Sequence, residues 1–79
     1  MEYVIVEFPE AREVMVDGQT QGVNLSGQEF RVLMVEEGLH EVSLGGNPNY
    51  IPRSQKIVVD GTSPINPLRV RFEKVEKVA

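Results

Sequence analysis

Few side chains in this chain can do chemistry, and their spacing limits what that chemistry could be. There is one histidine, His40, and no cysteine. A catalytic histidine needs a nucleophile and an orienting carboxylate brought to it, and no Ser–His–acid arrangement is marked in the sequence. His40 lies between Leu39 and Glu41 and alternates with Val42 and Leu44, so it reads as a core-edge residue on a strand. Asp17 and Asp60 each follow a valine and precede a glycine. Calcium needs six or more oxygens, usually from one dense acidic loop, and neither position has a second carboxylate beside it. Asp-Gly is what tight hairpin corners favour, so both aspartates read as turn residues. Glu36 and Glu37 are adjacent and point apart, which makes them a solvated turn and not an acid–base pair. Arg69, Arg71 and Lys74 surround Phe72, but Phe72 alternates to the face opposite the arginines. That pattern gives a charged, guarded sheet edge, not a basic–aromatic platform for nucleic acid. Asn24-Leu25-Ser26 has the form of a glycosylation sequon, a three-residue match that arises often by chance.

The residues left as candidates for contact with a partner are Asn49, Tyr50 and Pro52. They lie in the Gly45–Pro52 segment, the densest turn signal in the chain. Binding residues concentrate on loops held by a rigid scaffold, although a loop tyrosine can instead tuck beneath a sheet. No catalytic, cofactor-binding or metal-ligating set is read from the sequence.

The elements that must hold these residues are strands. Tyr3, Val4, Ile5, Val6 and Phe8 form a β-rich run that Pro9 ends. Arg12–Val16 runs into Asp17-Gly18, and a short return strand follows to Gly22 or Val23. Val23–Gln28 reads as a loop. Gln28–Val35 is the next strand, with Phe30, Val32 and Met34 on one face and Arg31, Leu33 and Val35 on the other. Leu39–Leu44 returns after the Glu36–Gly38 turn. Arg53–Val59 follows, with Ile57 and Val59 inward. Leu68 to about Val75 closes the chain, its Leu68, Val70 and Phe72 alternating with Arg69, Arg71 and Glu73. No segment keeps a helical apolar period, apart from a tail at Glu73–Ala79 that could make a last helical turn or fray. Six to seven short strands with frequent turns predict an all-β fold, a small antiparallel β-sandwich.

Size and charge narrow the function classes. The 79 residues make one domain, spanning 1–79. A domain this small buries only about 60% of its unfolded surface, so apolar strand faces must supply its stability. Twelve acidic residues against eight basic ones give a net charge of −4, which weighs against nucleic-acid and anionic-membrane binding. No run of about 18 apolar residues predicts a membrane span. The N-terminus enters a strand directly, with no basic–apolar leader. The expected location is the cytoplasm if the chain is complete, and the cell envelope or exterior if it is excised from a larger exported protein.

The order of these signals resembles the PEGA domain family. Val14-Met15-Val16-Asp17-Gly18 corresponds to the family's apolar-x-Val-Asp-Gly strand and turn, and Gly22 to the glycine that follows. Gly38-Leu39-His40-Glu41-Val42 corresponds to the hairpin return, with His40 in the aromatic-or-histidine slot. Asn49-Tyr50-Ile51-Pro52 corresponds to a Gly-Tyr-x-Pro loop, and Leu68-Arg69-Val70-Arg71-Phe72 to the closing strand. The chain departs in carrying Val23-Asn24 where the family has Thr-Pro or Ser-Pro, Asn49 in place of glycine, and a longer Val23–Arg31 segment. The resemblance covers roughly Tyr3–Phe72. It implies a sandwich similar to carboxypeptidase-regulatory and transthyretin-like folds, and a noncatalytic module. The expectation is therefore a domain that contacts a protein or glycan through its loops or a sheet edge, with no cofactor and with an edge strand available for self-association. The alternative is a free-standing cytoplasmic regulatory or small-ligand-binding domain.

Overall fold

The computed structural model describes residues 1–75, and within them the backbone is built from strands and turns alone. In chain order the strands are β1 (Glu2–Glu7), β2 (Glu13–Val16), β3 (Gln19–Val23), β4 (Leu25–Ser26), β5 (Glu29–Phe30) and β6 (Val32–Val35). They continue as β7 (Gly38–Leu44), β8 (Tyr50–Ile51), β9 (Gln55–Val59), β10 (Leu68–Arg71) and β11 (Glu73–Lys74). Four of these are only two residues long, and the other seven carry the fold.

Two sheets pack face to face. One is a four-stranded antiparallel sheet in the order β3-β2-β7-β9, and the other a three-stranded sheet in the order β10-β1-β6. The first contributes Val14, Val16, Val42, Leu44 and Val59 to the core. The second contributes Val4, Val6, Leu33, Val35 and Val70, with Phe8 and Phe72 just past its strand ends. Alternation places these residues inward and their neighbours outward, as a half-covered sheet requires. The expected inward pair on β9 divides: Val59 is fully buried, whereas Ile57 is half-buried at the rim of the core.

The pairing differs from a purely antiparallel sandwich at one place. β1 and β10 run parallel, with Val6 opposite Val70. They lie far apart in sequence, so no tight hairpin has to join them. The expected single closing strand is also broken. Phe72 turns into the core and its N–H donates to the Glu7 carbonyl at 3.1 Å. Past it, β11 pairs with β8, setting Glu73 opposite Ile51. Val75 N–H then donates to Asn49 O at 2.8 Å, and the rest of the predicted tail lies outside the described residues. The expected Gln28–Val35 strand is divided at Arg31, whose N–H donates to Asn24 O at 2.9 Å. The segment expected to be a loop carries β4, which pairs with β5.

The hairpin corner at Asp17-Gly18 forms as its residues dictate. Asp17 has φ +53° and Gly18 φ +81°, both in the left-handed region of a tight primed turn. Gly22 has a different reason to be glycine. A Cβ there would lie 2.9 Å from Leu33 Cδ2, where β3 passes over the edge of the facing sheet. Each open seam between the sheets is bridged by a glutamine. Gln21 Nε2 of β3 donates to Met34 O of β6, and Gln55 Nε2 of β9 to Arg71 O of β10, both at 2.6 Å.

The chain changes sheets between β1 and β2, and Asn24 holds that crossover. Its side chain is fully buried. Its Oδ1 accepts from Arg12 N–H at 2.7 Å, and its Nδ2 donates to Glu10 O at 3.1 Å and Phe8 O at 3.5 Å. The Asn24 amide is thus committed to the fold, which gives the asparagine of the Asn24-Leu25-Ser26 sequon a structural role. Asn24→Ala leaves a buried donor and acceptor unmatched and should cost about 2–4 kcal/mol. A domain of this size has roughly 4–12 kcal/mol in total. Urea unfolding should show the midpoint drop sharply, and an unchanged midpoint would refute the role given to Asn24.

Candidate functional site

The one histidine is used up by the fold. On β7, His40 sits across from Ile57 of β9, at the end of the sandwich where the β2–β3 and β6–β7 turns meet. Its Nδ1 is 2.6 Å from Asp17 Oδ2, and its Nε2 is 2.6 Å from Glu36 O. Asp17 Oδ1 also accepts from Glu41 N–H at 2.9 Å, and Asp17 N–H donates to Glu41 O at 2.8 Å. The hydrogen bond to Asp17, then that to the Glu36 carbonyl, raises the His40 pKa against the opposing effect of burial. The Asp17 carboxyl is lowered, first by the Glu41 backbone N–H and then by His40. Neither ring nitrogen is free to take a proton from a substrate. Among the described residues, no three His, Asp or Glu side chains gather where they could hold a metal ion.

The Gly45–Pro52 segment separates the three sequence candidates. Tyr50 is a buried core residue. Its ring packs edge-on to Phe8 and Phe72, at centroid distances of 6.1 and 5.4 Å. Its hydroxyl donates to Leu44 O at 2.7 Å and accepts from Leu44 N–H at 3.2 Å. The apolar ring is buried because the phenol oxygen finds both partners on one residue. Asn49 is half-buried, and its Oδ1 accepts from Arg12 Nη1 at 2.7 Å. Pro52 remains exposed, next to the half-exposed Ile51.

Arg12, expected to open the second strand and lying just before β2, organises this loop. Its guanidinium lies 5.6 Å from the ring centroids of both Phe8 and Tyr50. It donates from Nε to Gly45 O at 2.8 Å and from Nη2 to Asn47 O. Arginine suits the position because its planar fork can stack and donate in several directions at once. Beside it, the Glu10 carboxyl is lowered chiefly by its hydrogen bond to Lys74. The signal for Arg12 was weak, since one arginine among polar residues carries no period.

Apolar surface stays open on both outer faces: Leu39 and Val58, opposite each other on β7 and β9, are 66% and 69% exposed, and the three-stranded sheet carries a longer stripe. Register sets Met34 beside Tyr3 and Val32 beside Ile5. Ile5 and Glu7 in turn lie beside Arg69 and Arg71. Beyond the break at Arg31, Phe30 lies on the same depression as Glu7. Phe30 and Val32 are 40% and 41% exposed, and Met34 about half. Past the strand ends, two open depressions meet. One is lined by Pro9, Phe30, Glu7, Arg71, Glu73 and Lys74. The other is lined by Ile51, Pro52 and Gln55, and shares Arg71 and Glu73 with the first. Arg69 is paired with Glu7 at 3.1 Å and Lys74 with Glu10 at 2.8 Å. Arg71, on the shared rim, makes no ion pair with any described carboxylate. Sequence alternation separated this stripe from Leu33 and Val35 but did not say which side would face water.

Comparison of the chain with family models, with curated proteins and with solved structures finds no match. No described helix is long and apolar enough to cross a membrane.

Tyr50→Phe keeps the ring and strands both Leu44 backbone groups. It should lower stability by about 1–3 kcal/mol in urea unfolding. Arg53→Ser, on the exposed side of the same turn, should change stability by no more than about 0.5 kcal/mol. Equal effects from the two would contradict the division of this loop into a buried and a presented half.

Proposed function

We propose that this domain is a noncatalytic interaction module of the PEGA kind. It receives a protein partner on the outer face of the β10-β1-β6 sheet and the adjoining Ile51–Pro52 turn. The observation that carries this reading is the stripe of Phe30, Val32 and Met34 left uncovered beside Tyr3 and Ile5. A solvated sheet face normally alternates to polar residues, and contiguous apolar surface on a small domain marks a place of contact. Arg71 at the rim, which pairs with no described carboxylate, complements a carboxylate on the partner, in the manner of arginine at the edge of an apolar contact. The partner's chemistry is thus an apolar protein segment with an acidic residue beside it. A glycan fits less well, because Phe30 is 40% exposed and Tyr3 half-buried, which leaves little open ring surface for a sugar to stack on. The depressions are open grooves, which favours a docking surface over an enclosed small-ligand pocket. The occupied nitrogens of His40 favour a noncatalytic role.

A photo-crosslinking side chain at Val32 or Ile51 should give protein adducts in cells of the source organism, whereas the same group at Lys56, on the outer face of the other sheet, should not. Val32→Glu and Ile51→Glu should each abolish adducts formed from the other position while leaving the thermal midpoint unchanged. Arg71→Glu should weaken capture about tenfold or more. Equal labelling from both sheets, or capture that survives the glutamate variants, would overturn the assignment. Adducts of twice the chain mass would identify the partner as a second copy.

A further inference from the structure

The His40 ring faces two acceptors, a carboxylate oxygen and a backbone carbonyl oxygen, each at 2.6 Å. A neutral imidazole has one N–H and one lone pair, so it can satisfy only one of them. Directed at the other acceptor, its lone pair would meet oxygen at a distance only a hydrogen bond sustains. Both contacts are made together only when both nitrogens carry protons.

We propose that His40 is a proton-operated latch. As the imidazolium it joins the β2–β3 turn to the β6–β7 turn, and on losing one proton to solvent it releases the Glu36 carbonyl.

The surroundings favour the charged ring. The groups facing it are Asp17 from the β2–β3 turn and Glu36 from the β6–β7 turn, and both carboxylates stabilise a positive ring. From β2 comes Val16, and from β9 comes Ile57, directly opposite. Lys56 and Glu41, the next pair along, project to the other side of the sheet. The His40 side chain is only 14% exposed, while its partner Asp17 is 53% exposed and open to solvent. Proton loss leaves the remaining N–H with the charged partner, Asp17, and frees the uncharged Glu36 carbonyl. The freed turn is the direct continuation of β6, so the latch fixes where the strand carrying Val32 and Met34 ends.

The sign of the pH dependence follows. The folded His40 pKa lies above the ordinary value of about 6.5. Its stabilisation is fully present below that ordinary value and is lost as pH rises through the raised folded value. Asp17 sets the acid limit. Its contribution is present above the usual aspartate value and is lost as pH falls through its lowered folded value.

Nitrogen NMR of the unaltered protein tests the proposal without any substitution. At pH 6.5 both ring nitrogens of His40 should report as protonated, with a titration midpoint above that pH. Across the midpoint, amide exchange in Glu36–Leu39, corrected for its intrinsic pH dependence, should accelerate about tenfold, as for loss of one charge-assisted hydrogen bond. Asp17→Asn keeps an acceptor for Glu41 N–H and should lower the midpoint, whereas Lys56→Gln should leave it in place. A midpoint at or below 6.5, or turn exchange that ignores the titration, would refute the latch.

Discussion

The rest of the structure depends on one constraint: the backbone must change sheets without losing its hydrogen bonds. Between Phe8 and Arg12 the chain leaves one layer for the other, and there it has no neighbouring strand. A peptide group sealed from water without a partner is costly. Asn24 supplies what a strand would have supplied, an acceptor for Arg12 N–H and donors for the carbonyls of Phe8 and Glu10. Arg12, fixed by that bond, can then stack on Phe8 and Tyr50 and hold the carbonyls of the Gly45–Asn49 loop. Core closure at this end of the sandwich follows from one buried amide.

Local chemistry made much of this fold legible. Asp17-Gly18 named its own turn, because few residue pairs tolerate two positive φ values in succession. Alternation in Leu68–Phe72 separated inward Val70 and Phe72 from outward Arg69 and Arg71. The parallel pairing of β1 with β10 was not legible, since alternation has the same period in either direction. Nor was the break at Phe72, where one tertiary hydrogen bond to Glu7 redirects a chain whose local pattern continues.

The candidate contacts show the same limit. Asn49, Tyr50 and Pro52 sit close together in sequence, yet the loop folds Tyr50 inward, ties Asn49 to Arg12 and leaves only Pro52 on the surface. What gathers around Arg71 comes instead from four separate stretches: Pro9, Phe30, Ile51–Pro52 and Glu73. Ile65 shows a turn doing the opposite of burial. Reciprocal backbone bonds between Ser63 and Asn66 hold a tight bend that leaves this isoleucine 92% exposed.

The two glutamine bridges have a consequence for how copies of this protein meet in a crowded solution. Open sheets tend to recruit extended chains from other molecules, because their rims offer vacant main-chain acceptors. On β6 and β10 the Met34 and Arg71 carbonyls already hold a bond from their own chain, through Gln21 and Gln55. An incoming strand would first have to evict an amide tethered to the same fold. The lateral growth that turns small β-domains into fibrils is therefore obstructed on both flanks of the sandwich.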